Sequence, residues 1–183
     1  VPREDVEMKT YEPDPGADAV FLEDYGRAHL SLDAEYNIQT VFEHHIRIKI
    51  INSNGFDYAD FKKIFYSSGR LDHIQAATYN IENGEVVATK VERKNIYYTS
   101  SSNQRRGLSF TFPDVRVGSV LELKYTFTSY GFYDLFPWYF QKEIPVRHGG
   151  YLVEIPGYFA YKITATGNLE KIKFSKKEER VNT

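Results

Sequence analysis

The sequence contains no cysteine, and this absence excludes several kinds of chemistry together. Without a thiol, the 183-residue chain can form no disulfide, no thiolate metal site and no covalent intermediate on a cysteine. Peptidase or transglutaminase catalysis of the cysteine type therefore lies outside the chemistry of this chain.

Long apolar runs and a strong net charge are missing as well. No stretch reaches the ~18 apolar residues of a membrane-spanning helix, so we expect no membrane span. The formal net charge is −2, which creates no long-range positive field, and we expect no nucleic-acid partner. The start at Val1-Pro2-Arg3 shows no features of a signal peptide, and we expect the chain to be cut from a longer precursor.

Helical periodicity is scarce, whereas aromatic residues are abundant. Pro13 and Pro15 limit residues 1–17 to one short helical turn and an extended entry segment. The chain has 15 Tyr and 13 Phe, and tyrosine suits a pleated sheet with one wet side. The composition therefore favours strands over helices.

Alternation of apolar and polar residues predicts where the strands lie. Residues 45–50 place three isoleucines on one core-facing side, and residues 121–128 alternate in the same way. Asn83-Gly84 predicts a two-residue hairpin turn with positive φ at both positions. Asp24-Tyr25-Gly26 predicts a second hairpin turn, between strands at 19–22 and 29–32.

The remainder of the chain continues this pattern. Three further strands are predicted, at 139–146, 151–155 and 159–165, and a polar loop is predicted at 99–107. Many short strands with little helix indicate an all-β fold, a single-domain antiparallel β-sandwich. We expect residues 18–175 to form the sandwich and residues 176–183 to form a linker.

The sequence shows no recognisable catalytic or metal-binding constellation. There is no Gly-x-Ser-x-Gly elbow, and carboxylates such as Glu122 or Asp134 have no spacing that identifies an acid pair. His44 and His45 are strand neighbours and point to opposite faces, so they cannot readily share an ion. Only a calcium site built from distant loops stays open. We expect no catalytic residue, no metal and no cofactor.

Aromatic residues supply a candidate binding surface. Seven of the eleven residues at 130–140 are aromatic. Exposed rings could stack on sugars or anchor another protein. The interpretation that we favour is that Phe132, Phe136 and Trp138 cap one end of the core. The candidate surface consists of Tyr97, Tyr98, Phe132, Tyr133 and Trp138.

Several segments together resemble a known domain family. The segments are Glu7 to Tyr11, Asp18 to Val20, His45 to Gly55, Ala76 to Tyr79, Phe110 to Val115, Gly118 to Glu122, Trp138 to Gln141, and Pro145-Val146. They resemble the uncharacterised domain that precedes transglutaminase-like domains in many exported bacterial proteins. The resemblance implies a β-sandwich, a periplasmic or extracellular location, and a transglutaminase-like domain beyond Thr183. It supplies no catalytic residues for this chain.

These observations favour a non-catalytic accessory domain over an enzyme. We expect it to dock onto or position a transglutaminase-like domain in the same polypeptide. An alternative is a carbohydrate-binding module that uses the clustered aromatics, and a third hypothesis is a hydrolase with an acid pair. The expected partners are the downstream domain and, in the alternatives, a glycan or another envelope protein.

Overall fold

Two β-sheets make up the architecture. The structure, a computed structural model, describes residues 1–66, 68–100, 105–131, 135–167, 170 and 172–177. A short helix, α1 (Arg3–Glu7), precedes the strands. The strands are β1 (Ala19–Leu32), β2 (Ile38–Ile50), β3 (Asp60–Tyr66), β4 (Gly69–Glu82), β5 (Glu85–Lys90), β6 (Tyr97–Ser100), β7 (Arg105–Thr111), β8 (Val120–Tyr130) and β9 (Gly149–Glu154). Two 3-10 turns, Ser53–Ala59 and Arg93–Asn95, connect strands.

The two sheets pack face to face. A six-stranded sheet has the order β5-β4-β8-β2-β1-β9, and a three-stranded sheet has the order β3-β7-β6. Among the described strands, every pair is antiparallel except β1 with β9. Phe65 of β3 contacts Phe127 of β8 with ring centroids 5.5 Å apart, so β3 lies over β8. The predicted all-β sandwich is confirmed, with one parallel pair that alternation alone cannot reveal.

The inner face of β2 supplies its isoleucines to the core, as alternation predicts. Ile48 and Ile50 are buried, and Ile46 packs against the same cluster. β8 supplies Leu121 in register with Ile48, and the second sheet adds the buried ring of Phe110. Each such side chain stabilises the fold by about 1.5–3 kcal/mol through removal from water.

Part of the outer face of the six-stranded sheet is buried too. Arg47 and Lys49 point to this side of β2 and are only 7% and 0% exposed. Val6 of α1 packs on Val20 and Val120 in a second apolar cluster. The entry segment therefore has a structural role, because it covers part of the sheet face that lies opposite the second sheet.

The predicted turn at Asp24-Tyr25-Gly26 is wrong, because β1 runs through it as one strand of 14 residues. Gly26 is required there for close packing rather than for a turn. A Cβ at this position would lie 2.5 Å from Cζ3 of Trp138, closer than side chains tolerate. A glycine inside a strand can mark a close approach of another group as well as a turn, and at Gly26 the approaching group is an aromatic ring.

The hairpin at Asn83-Gly84 is confirmed. It joins β4 and β5, and the two residues have φ values of 50° and 82°. Both values lie in the left-handed region that a type I′ turn requires, and Asn-Gly accepts it at low cost. Local chemistry alone therefore decides this turn.

The later strand predictions are only partly correct. Residues 139–146 and 159–165 are not strands, and the predicted strand at 151–155 corresponds to β9. Part of the predicted loop at 99–107 is paired, since Thr99 and Ser100 of β6 lie opposite residues 106–107 of β7. Residues 101–104 of that loop and residues 178–183 of the predicted linker lie outside the described residues.

Candidate functional site

The exposed part of the candidate surface is the tyrosine pair on β6. Tyr97 and Tyr98 are 63% and 65% exposed. β6 pairs with β7 on one side and forms the edge of the three-stranded sheet. Phe132 and Tyr133, which the sequence also suggested, lie outside the described residues, as does Asp134. We call Tyr97, Tyr98 and the open side of β6 the tyrosine edge.

Trp138 faces the core instead of solvent. Its ring stacks on Tyr151 of β9 with centroids 5.1 Å apart and an angle of 9° between planes. It also meets the edge of His44 at 5.1 Å and the ring of Phe42 at 6.3 Å. Trp138 therefore caps the core over β1, β2 and β9. In the described contacts it shares no neighbour with Tyr97 or Tyr98, so the structure does not bring these candidates together.

A buried polar cluster lies beside Trp138, and the sequence analysis missed it. His44 Nε2 is 2.7 Å from Asp24 Oδ1, and the Tyr125 hydroxyl is 2.9 Å from His44 Nδ1. Lys142 Nζ lies 2.9 Å from the second oxygen of Asp24. The available signal was alternation, because His44 occupies the same face of β2 as the core isoleucines.

Burial sets the protonation of this cluster. Desolvation lowers the pKa of His44 despite the opposing hydrogen bond with Asp24. Burial raises the pKa of Asp24, but the hydrogen bonds from His44 and Lys142 outweigh it and leave the pKa below its ordinary value. Burial also raises the pKa of Tyr125. At neutral pH the cluster therefore contains an aspartate anion, a neutral histidine and a protonated tyrosine.

The hydrogen bonds fix the histidine tautomer. His44 Nε2 donates to the Asp24 carboxylate, and its unprotonated Nδ1 accepts from the Tyr125 hydroxyl. The arrangement resembles a proton relay, yet the side chains of His44 and Asp24 are only 11% and 2% exposed. Its evident role is to attach the segment around Lys142 and Trp138 to the sheet through buried polar contacts.

An ionic network occupies the outer face. Arg47 donates to Asp5 at 3.2 Å, to Glu23 at 2.9 Å and to Glu122 at 2.9 Å. Arg147 reaches the other oxygen of Asp5 at 2.5 Å. This network holds α1 on the sheet, because Asp5 is fully buried and both of its oxygens accept from guanidinium groups.

Glu122, the carboxylate of the hydrolase hypothesis, belongs to this network. The hydrogen bond from His45, helped by Arg47, lowers the pKa of Glu122 to about 2 against the opposing effect of burial. A carboxylate with that pKa is ionised at neutral pH and is unsuited to donate a proton as a general acid.

Metal ligands do not converge in the described part of the chain. His44 bonds Asp24 on the inner face and His45 bonds Glu122 on the outer face, so the opposite orientation predicted for this pair is confirmed. Across the described ranges, no three His, Asp or Glu side chains are grouped so that they could hold an ion. None of the described helices combines the length and apolarity needed to cross a membrane.

The fold defines a two-sheet β-sandwich domain. Comparison with known families identifies the domain family. Residues 37–183 match DUF3857, described as a domain of unknown function with a solved structure. This match covers most of the sequence, and the chain belongs to the DUF3857 family.

Solved structures agree with the fold, and 22 chains match. One of them, from Parabacteroides distasonis and described as a "putative protease", superposes with a TM-score of 0.50 at 12% sequence identity. The alignment covers 63% of this chain and 24% of that one, so this domain spans about a quarter of the relative's length. At such low identity the likeness shows the fold alone. No curated protein matches the sequence.

Proposed function

We propose that this domain is a non-catalytic interaction module of an exported bacterial envelope protein, where it docks onto a transglutaminase-like domain of the same polypeptide. The observation that carries the proposal is the tyrosine edge. Two large rings project to opposite sides of β6, an exposed strand at the edge of the three-stranded sheet. Tyrosine offers wide contact area at low entropic cost and is frequent among residues that anchor interfaces.

The surroundings of the tyrosine edge suit a contact between domains of one chain. Such interfaces bury about 600–1,500 Å² and are fairly polar. Arg106 of β7 lies opposite Ser100 of β6 and is exposed, so the surface combines aromatic, hydroxyl and cationic groups. A strand edge of four residues is too short to invite uncontrolled sheet extension, which favours a specific partner.

Two further observations support the proposal. The sequence has no cysteine, so a transglutaminase-like reaction would need a nucleophile from another domain. A structurally similar domain makes up about a quarter of a longer chain that is described as a "putative protease". Both observations fit a module that works beside a larger partner. Export is part of the proposal, and fractionation of cells that express the complete gene tests it.

Hydrogen exchange in the longer polypeptide tests the docking. We expect residues 97–100 to exchange more slowly there than in the isolated 183-residue chain. The double substitution Tyr97→Ser and Tyr98→Ser should remove this protection, whereas Tyr36→Ser should not. Tyr36 is a matched control because it is 82% exposed and lies between β1 and β2. Independent tumbling of the two domains, with no added protection anywhere, would sink the proposal.

The carbohydrate-binding alternative has weaker support. Trp138 is half-buried, and one face of its ring is occupied by the stacked ring of Tyr151. Tyr97 and Tyr98 are the described members of the candidate surface that a sugar could reach. Titration with a panel of soluble oligosaccharides separates the two functions, since binding that is lost in the double tyrosine variant would favour the alternative.

A further inference from the structure

A cavity of about 220 Å³ opens between the two sheets, beside the 3-10 turn Ser53–Ala59 and the start of β3. Ile46, Ile48 and Leu123 of the six-stranded sheet form its floor. Ile48 and Leu123 are buried members of the inner core, and Ile46 is partly exposed. None of its described lining residues belongs to the tyrosine edge or to the buried polar cluster of Asp24 and His44.

Aromatic rings form the walls of the cavity. Phe21 meets Tyr58 edge to face with centroids 6.3 Å apart, and Phe61 of β3 also lines the cavity. The Phe21 ring also has a cation near it, because Lys142 Nζ lies 5.7 Å from its centroid. Rings in such positions attract positive charge through their π-systems.

The rim of the cavity is acidic. Asp57 and Asp60 line it, with Lys62 as the one basic lining residue among those described. Burial raises the pKa of Tyr58, and the negative charges of Glu143, Asp18 and Asp57 raise it further. The potential at the mouth is therefore negative in the region that Tyr58 occupies.

Size and charge together limit what can bind. A ligand site for a drug-sized molecule measures about 300–1,000 Å³, whereas a dry cavity of about 150 Å³ accepts benzene. The volume of about 220 Å³ therefore suits a single ring with a short arm. Acidic groups at the mouth favour an arm that ends in a cation and disfavour one that ends in a carboxylate.

We propose that this cavity binds a small aromatic amine, with the ring against Ile46, Ile48 and Leu123 and the ammonium group at the rim near Asp57 and Asp60. This site is independent of the proposed docking function, because it uses neither Tyr97 nor Tyr98. The binding would give the domain a ligand-dependent stability, since a ligand that binds only the folded state stabilises it.

Three compounds of similar shape test the proposal on the 183-residue chain. They are 2-phenylethylamine, 2-phenylethanol and 3-phenylpropionate, titrated while amide and methyl NMR signals are followed. We expect the amine to bind about five- to tenfold more tightly than the alcohol, the carboxylate to bind least, and the preference to shrink in 0.5 M NaCl. Shifts should centre on Ile46, Ile48 and Leu123. Absence of amine binding, or equal affinity for amine and alcohol, overturns the proposal.

Two substitutions locate the site. Asp57→Asn should weaken amine binding about two- to fivefold and leave alcohol binding unchanged, while the control Glu85→Gln on the distant strand β5 should change neither. Ile46→Phe should fill the cavity and abolish binding of both compounds. Unchanged amine affinity in Asp57→Asn, or in an Ile46→Phe protein that folds, overturns the assignment. Because Asp57 is exposed, its variant is testable even where Ile46→Phe fails to fold.

Discussion

Residues 47–50 of β2 are buried on both faces of the strand, but by different means. On the inner face, Ile48 and Ile50 pack against side chains of neighbouring strands and of the second sheet. On the outer face, Arg47 and Lys49 lie beneath the entry segment, which supplies one polar partner to each of them. Asp5 accepts from Arg47, and the Val6 carbonyl accepts from Lys49. The second sheet buries apolar area, whereas the short entry segment adds polar groups that, together with those of the six-stranded sheet, satisfy the charges beneath it.

This difference has an energetic consequence. The inner face is held by apolar burial, which is non-directional and scales with area. The outer face holds ions out of water, which is costly unless each ion is paired, so these contacts fix the position of α1 more than they add stability. Substitutions on the two faces should therefore differ in how much they lower the free energy of unfolding, in how that loss depends on pH, and in which segment moves.

The largest effect should come from the inner face. Leu121→Ala removes a side chain that is 1% exposed and faces Ile48 across β2 and β8. We expect a loss of about 3–4 kcal/mol in the free energy of unfolding, measured by urea titration, because a cavity remains in a core that cannot collapse. A loss below about 1 kcal/mol would mean that the two sheets are not tightly packed.

Removal of the central charge of the outer face should cost somewhat less. Asp5→Asn leaves Arg47 and Arg147 facing a neutral amide, although Arg47 keeps Glu23 and Glu122. We expect a loss of about 2–3 kcal/mol and faster hydrogen exchange across residues 1–17.

The matched control for Asp5→Asn is Glu7→Gln, on the same helix. Glu7 pairs with Arg3 in an exposed salt bridge, so the change should stay within about 0.5 kcal/mol. Equal effects of the two substitutions would contradict the view that burial of Asp5 is what fixes α1.

Lys49 should make the outer face depend on pH. Burial lowers the pKa of Lys49 to about 8, below its ordinary value of 10.5. The unfolded chain therefore binds more protons between these two values, and the stability should rise as the pH is raised through this window. We expect the free energy of unfolding to rise by about 2 kcal/mol between pH 8 and pH 10, relative to the Lys49→Met variant. Urea titration at each pH measures this change. Parallel pH profiles of the two proteins would show that Lys49 is not desolvated.

The smallest loss of stability should come from the site where Trp138 packs on the inner face. Gly26→Ala would bring a Cβ within 2.5 Å of Trp138 and 2.9 Å of Tyr151. We expect a loss of about 1–2 kcal/mol and a red shift of tryptophan emission, since Trp138 is the one tryptophan of the chain and must move outward.

Gly84→Ala is the control for Gly26→Ala. A Cβ at Gly84 would meet nothing within 4 Å, so its cost arises from the positive φ alone. Destabilisation without a change of emission is expected. A red shift in Gly84→Ala, or none in Gly26→Ala, would show that the emission does not report packing at Gly26.

Predictions from local pattern succeeded where local forces decide the outcome. The isoleucines of β2 lie on the inner face because side chains alternate along a strand, and Asn83-Gly84 turns because both residues tolerate positive φ. The turn predicted at Gly26 was wrong because the reason for that glycine is the ring of Trp138, more than a hundred residues away. Of the candidate surface, Tyr97 and Tyr98 are exposed, and Trp138 turns inward.

The sequence by itself determined the strand-rich class, the alternating faces, the Asn-Gly hairpin and the absence of thiol chemistry, since each depends on residue type or on neighbours within a few positions. Only the tertiary structure decided that β9 runs parallel to β1, that Asp24, His44 and Tyr125 meet, and that Lys49 is buried. These outcomes join residues far apart in the chain, such as Asp5 and Arg147, which are 142 positions apart. Local preferences carry no information about such pairings, because they form only when the sheets assemble and water leaves the space between them.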